Sequence, residues 1–399
     1  MIIAKNDNIP GPNKLTFDNS TKTGYYGHTT AAELITGDAL ASQIGLIIGT
    51  SQFSNAGWEK FFVGADADCN PDNIDKVLYI AKKTFRYNLS WDNINTVNAV
   101  YGSRIIIIGG NAYKVRLLRG SRSDLIQTHD ITCSDNFGCN SEWNDLLYRV
   151  HTDVPNCSDP TVGMPGGNET FRHGGPQVGT NWNNYSDADL QVYYLVGYGT
   201  YCWCQETDTL SSSRCVSRGG NGVAYYNTYS SSYLHDGLGW LPCLELVTPV
   251  PFSSASLGDY TEGGYYYHND GTYAYICSVD DTEVEWGGYN YTVSGADSET
   301  DGYQNTLDLI ADSYAHPAAQ WCHDKTDGGY TDWYLPSKNE LDDLYNNKNY
   351  TNIVSTTHHW SSMNYSSTHA HLQYFNDGNQ NVYFKTLSCK VRAIRKLVL

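Results

Sequence analysis

The stretch Asn364-Tyr365-Ser366-Ser367-Thr368-His369-Ala370-His371-Leu372-Gln373-Tyr374-Phe375-Asn376 is built mostly of amides, hydroxyls, imidazoles and aromatic rings. Such groups hydrogen-bond adaptably and stack, which is chemistry for reversible contact with a polar surface. The candidate binding residues are Asn364, Tyr365, Ser367, His369, His371, Gln373, Tyr374 and Asn376. Asn379, Asn381 and Tyr383 extend the same face if that strand alternates. His369 and His371 stand two apart, so on a strand both project to one side, and His358-His359 lies close in sequence. A metal site needs three or four converging ligands and an ordered second shell. Asp377 and Asn379 do not reach an oxygen set for calcium, so no metal or cofactor is expected.

Bond-breaking chemistry is harder to assemble. Cleavage of a glycosidic bond needs two carboxylates facing a sugar. Asp280-Asp281, Glu283 with Glu285, and Asp342-Asp343 are available, but adjacent acids of this kind read as a solvated face. Gly219-Gly220-Asn221-Gly222 is no phosphate loop, because no Gly-Lys-Ser/Thr follows it. Arg116, Arg119, Arg392 and Arg395 are interleaved with apolar residues and read as holding carboxylates at subunit or domain contacts. The eleven cysteines show no repeating spacing and read as reduced thiols packed as small apolar residues, with a disulfide in the Cys133–Cys139 loop as the alternative. No enzyme is expected.

Composition points the same way. The chain has 399 residues, 43 acidic against 25 basic, and a formal net charge of −18, which disfavours nucleic acid and anionic lipid as partners. Its 33 tyrosines and 37 glycines, with many Asn and Ser, are the residue types of recognition surfaces, since Tyr offers large amphipathic area at low entropy cost. No stretch approaches the length of an apolar membrane span, and Met1 to Pro10 lacks the basic and apolar regions of a secretory signal.

The elements that must position these residues follow from pattern. Residues 1–45 read as a lead segment, with Thr30 and Glu33 at capping-box spacing before a short helix to Ile35. It is too small for its own core and must dock elsewhere. Strands are expected at Phe61–Val63, Val77–Ile80, Ile105–Ile108, Tyr113–Leu118 and Gly239–Val247, and a capped helix after Ser141. Asn156 to Asn184 reads as an extended surface loop. Thr248-Pro249-Val250-Pro251 bars a helix and marks a linker. Beyond it come strands at Gly264–Tyr267 and Tyr273–Val279, and helices at Asn305–Tyr314 and Ser337–Tyr345, the second with a Ser337/Glu340 capping box. The fold class is α+β, rich in loops and short antiparallel strands, with residues 1–45, 46–248 and 252–399 as its parts around a linker at 249–251.

Within the last part, Trp333-Tyr334-Leu335-Pro336-Ser337-Lys338-Asn339-Glu340-Leu341, preceded by Gly328-Gly329-Tyr330-Thr331-Asp332, resembles a C-type-lectin-like domain family. That family is represented by the C-terminal domain of a bacterial collagen-like adhesin. His359-Trp360-Ser361-Ser362, Tyr374-Phe375-Asn376-Asp377-Gly378 and Val391-Arg392-Ala393-Ile394-Arg395 supply its later landmarks. Such domains occur in bacterial adhesins, phage fibres and the variable proteins of diversity-generating retroelements. The resemblance implies that 364–383 is an exposed ligand face. The first block, through Asn111 to Gly120, Ser141 to Asn144 and Gly239 to Pro242, resembles another module of phage structural proteins and implies a second lectin-like fold.

The expectation is therefore a virion fibre or capsid-decoration adhesin, made in the host cytoplasm. It would be anchored to other virion proteins through residues 1–45, form a homo-oligomer, with a trimer as the guess, and bind host-surface glycan or protein. The alternative is a purely structural cementing protein of capsid or tail. A bacterial surface adhesin and a depolymerase follow.

Overall fold

A computed structural model describes residues 9–121, 125–126, 141–152, 179–194, 197–208, 211–353 and 357–399. The Cys133–Cys139 loop and most of the loop from Asn156 to Asn184 lie outside the described residues. The chain is mostly sheet, 36% strand against 18% helix, so the helices serve as braces for the sheets. It divides into two compact units. Unit 1 holds Met1–Arg104 and Tyr113–Leu246, and unit 2 holds Ile105–Ala112 and Val247–Leu399.

Unit 1 is built on two sheets. In the first, Pro242–Leu246 runs between Lys76–Ala81 and Asn111–Leu117, antiparallel to both. Thr23–Thr29 pairs with Trp58–Val63, and Thr16–Asp18 pairs with Thr23–Thr29, so residues 16–29 of the lead segment are strands of this sheet. The Thr30/Glu33 box forms its bonds, but in a turn; the helix starts later, at Gly37–Ile44, where Thr36 Oγ1 accepts the Ala39 N–H. The second sheet orders Tyr226–Ser230, Ser211–Gly219, Tyr201–Asp208, Leu238–Trp240, Arg86–Tyr87 and Thr50–Ser51. The single strand expected at Gly239–Val247 is thus broken at Leu241 and shared between the sheets.

Unit 2 has a four-stranded sheet (Tyr260–Thr261, Gly264–Asn269, Tyr273–Cys277, Ile394–Val398) and a five-stranded one (Thr282–Glu285, Ser388–Val391, His358–Asn364, His369–Tyr374, Gln380–Phe384). The helices Gly302–Ala311, Pro317–His323 and Lys338–Asn346 pack on them. The Trp333-Tyr334-Leu335 motif works by alternation. Trp333 and Leu335 enter a core with Trp286, Trp360 and Leu372, while Tyr334 enters a second one with Tyr267, Leu341 and Phe375. In this unit the three buried indoles each donate to a carbonyl: Trp286 to Ser361 O, Trp360 to Val284 O and Trp333 to Asp327 O. Glu340 closes the capping box, accepting from Ser337 N at 2.9 Å, and also accepts from Gly302 N and from Tyr334 Oη.

Arg116, Arg392 and Arg395 hold carboxylates as expected, each within its own unit. Arg116 is forked onto both oxygens of Glu142 at 2.7 Å and donates Nε to Glu245 at 2.9 Å. Arg395 grips Asp332 with Nε and Nη2, and Arg392 faces Asp281 and Asn352. The described cysteines (69, 202, 204, 215, 243, 277, 322 and 389) are all buried.

Candidate functional site

Along the strand His369–Tyr374, successive side chains point to opposite faces. Ala370 and Leu372 enter the tryptophan core, and His369 and His371 point the other way. Gln380–Phe384 runs antiparallel beside it with His369 opposite Phe384, His371 opposite Val382 and Gln373 opposite Gln380. Directly opposed residues share a face, so Gln380, Val382 and Phe384 join the two histidines. The rings of His369 and Phe384 are 4.2 Å apart at 38°. Tyr365, in the turn before the strand, meets His371 edge-on at 5.3 Å and 90°. Tyr365 is 60% exposed and Phe384 47%, which makes these two rings the accessible part of the face.

One end of the face is closed by the helix Lys338–Asn346. Gln380 Nε2 donates to Lys338 O at 2.9 Å, and Lys338 pairs with Glu299 at 3.0 Å. Burial lowers the His371 pKa, the Lys338 charge lowers it further, and Glu299 opposes this only in part. His371 is therefore neutral at neutral pH and presents one donor and one acceptor nitrogen beside an aromatic edge. A hydroxyl-bearing or amide-bearing ligand is matched by that arrangement, and the charge beside it is a compensated pair. Among the described residues, no three His, Cys, Asp or Glu side chains converge as metal ligands.

The other sequence-chosen residues are placed elsewhere. Gln373 is fully buried and braces strand to helix, donating Nε2 to Asp342 Oδ1 at 2.6 Å and to Gly378 O at 3.0 Å. Asn364 is also buried, its N–H bonded to Ala296 O. Ser367 is half-buried in the turn that carries Tyr365, while Asn376 and Asn379 sit exposed in the next turn, Asn379 being bonded to Asp377. Tyr374, Tyr383 and Asn381 lie on the opposite side of the sheet from His371, since Tyr383 opposes Ala370 and Asn381 opposes Leu372. There His358 contacts Tyr374 at 4.1 Å and stacks on Tyr383 at 5.5 Å. The expected single face of eleven residues is two faces and a brace. Phe384 and Val382 were missed; their apolar alternation in a polar strand was the available signal, but its phase depends on the turn before it.

Residues 237–395 match the family model of the Lcl C-terminal domain, the family that the landmark residues resemble. No curated protein matches the chain. Among solved structures, a fimbrial protein from Bacteroides ovatus is similar at 13% identity with a TM-score of 0.25. That likeness covers 45% of this chain and 56% of the fimbrial protein, and it is too loose to carry a fold assignment.

Proposed function

We propose that the protein is an adhesin whose unit 2, a C-type-lectin-like module, binds a host-surface glycan or protein through Tyr365, His369, His371 and Phe384. The observation that carries this reading is the pairing of two exposed aromatic rings with two imidazoles on the face of a sheet whose other side is core. The match to the Lcl C-terminal domain family supports it. The face is small, so useful residence on a cell requires several copies acting together, as in an oligomer. The wider reading is a virion fibre or decoration protein, assembled in the host cytoplasm and attached to other virion proteins through its first residues. Ile47, 84% exposed, and Ile48 follow that segment directly and offer an apolar contact for such a partner.

Purified full-length protein should bind whole cells of a susceptible host. A Tyr365→Ala, His371→Ala, Phe384→Ala variant should lose that binding while keeping its melting temperature. Tyr374 is left in place because it supports the sheet from the other side. Failure of the unaltered protein to bind any candidate host would sink the adhesin reading and favour a cementing role within a virion.

A further inference from the structure

The Gly219-Gly220-Asn221-Gly222 loop, which is no phosphate cradle, has a different task in unit 1. In the second sheet Tyr201 opposes Gly219, Trp203 opposes Ser217, Ser217 opposes Asn227 and Cys215 opposes Tyr229. Tyr201, Trp203, Asn227 and Tyr229 therefore share one face. A Cβ at Gly220 would lie 2.1 Å from Cε1 of Tyr201, at a φ of +87°. Only glycine there leaves the Tyr201 ring room to lie against the loop.

From this base the rings climb outward. Trp203 is buried and fixed by donating Nε1 to Leu89 O at 3.0 Å. It meets Tyr229 edge-on at 6.3 Å, and Tyr201 meets the same ring edge-on at 5.8 Å. Tyr233 then lies parallel to Tyr229, 5.8 Å away at 18°, and His235 parallel to Tyr233, 5.7 Å away at 20°. Parallel rings at that separation are offset like steps, so each leaves part of its face open. Tyr233 is 43% exposed, and His235 is exposed beyond it. His235 Nδ1 accepts the Gly237 N–H at 2.9 Å, so in the neutral ring the proton sits on Nε2 and is free to donate outward. Asp236 Oδ1, at 3.2 Å from the same Nδ1, is then a neighbour and not its bonded partner, because a backbone N–H can only donate.

We propose that this stair of rings is a second binding site, for a neutral pyranose of a polysaccharide, independent of the face on unit 2. A sugar ring has one face of C–H groups, slightly positive, which suits the negative face of an aromatic ring. Its rim of hydroxyls suits the polar fringe of the steps, where Asn227 Nδ2 donates to Tyr229 Oη at 3.0 Å and Asp236 Oδ1 lies 3.2 Å from the His235 ring. The fringe carries a carboxylate on a chain of net charge −18, so an anionic sugar is disfavoured. With two separate sites on one chain, engagement of the first raises the effective concentration at the second.

The test is electrophoresis of the full-length protein in native gels that contain dextran, yeast mannan or galactan. At least one of these should retard it. Tyr233→Ala should weaken the retardation about tenfold, the worth of one lost ring contact, whereas Tyr233→Phe should keep it. The unit 2 variant Tyr365→Ala, His371→Ala, Phe384→Ala should be retarded like the unaltered protein, which separates this site from the adhesive face. Melting curves confirm that Tyr233→Ala folds. No retardation in any gel overturns the proposal, as does equal retardation of Tyr233→Ala, or retardation that disappears with the unit 2 variant. Cell binding by that unit 2 variant that survives periodate oxidation but is abolished by protease would assign the stair to a protein, and overturns it too.

Discussion

Each unit buries ionisable groups that its surroundings compensate only in part: Glu206 and Asp145 in unit 1, His359 and Glu340 in unit 2. Unit 1 closes most of its buried charge into networks. Burial opposes ionisation of Glu245, but Arg116, Lys76 and Lys114 hold its pKa near 2. Two carboxyls stand outside such networks. Burial pushes Glu206 up to about 8, against the hydrogen bond from Gly120 N, and Asp145 up to about 7. Unit 2 buries a strongly shifted base as well. His359 is fully buried against Phe375, with ring centroids 4.0 Å apart. Burial drives its pKa down to about 3, although Asp281 pulls the other way. Glu206 therefore costs unit 1 stability as pH rises, and His359 costs unit 2 stability as pH falls. The contrast shows that a shared sheet-rich plan leaves the placement of uncompensated charge to individual side chains.

The strongest way to break the comparison is at the Arg116 network. Arg116→Ala leaves Glu142 and Glu245 buried without their main counter-ion and should cost about 3–5 kcal/mol, read as a fall in the urea midpoint. A loss below about 1 kcal/mol would mean that Lys76 and Lys114 suffice, and that unit 1 is less dependent on closed networks than its geometry indicates. Glu206→Gln comes next. A raised carboxyl pKa means that the folded state holds its proton longer than the unfolded state. Stability is then lost as pH rises from about 4.5 to about 8. The variant should be more stable than the parent by about 2–3 kcal/mol at pH 7, with the gain shrinking towards pH 4. A gain that does not change with pH would remove the electrostatic explanation.

The smallest effect expected is at His359. Its folded pKa lies below the unfolded 6.5, so the unfolded chain takes up the proton first and stability falls as pH drops from about 6.5 towards about 3. His359→Phe should abolish that contribution, amounting to about 2 kcal/mol at pH 5, with little change at pH 8. Glu340 in the same unit has a pKa raised by burial and works in the opposite direction, so the variant isolates the imidazole's share. Parallel pH curves for variant and parent would show that His359 is not the acid-sensitive group.

Local chemistry was legible in the sequence. The Ser337/Glu340 capping box and the Ser141 cap form as their spacing requires, because a cap involves residues three apart whose geometry no distant contact must supply. The helix expected at 305–314 runs Gly302–Ala311, shifted because Asp301 caps it by accepting the Gln304 N–H. The Trp333-Tyr334-Leu335 landmark, read for family resemblance, fills two cores. What could not be read was phase. Whether Tyr383 or Phe384 shares a face with His371 depends on the turn at 375–379, and one residue of slip exchanges the faces. The register shift between Trp360 and Asn364 likewise takes Asn364 out of simple alternation. The stair of unit 1 was invisible for another reason: its rings come from two separated strands and a turn, and nothing local marks Gly220 as the partner of Tyr201.

Because display and core positions alternate along His369–Tyr374, the face and the fold are under separate selection. Positions 369 and 371, and 382 and 384 opposite them, can change identity without altering what Ala370 and Leu372 fill. If the face is a ligand site, a new ligand can be met by exchanging 369, 371, 382 and 384 while Ala370, Leu372 and the brace Gln373 are kept.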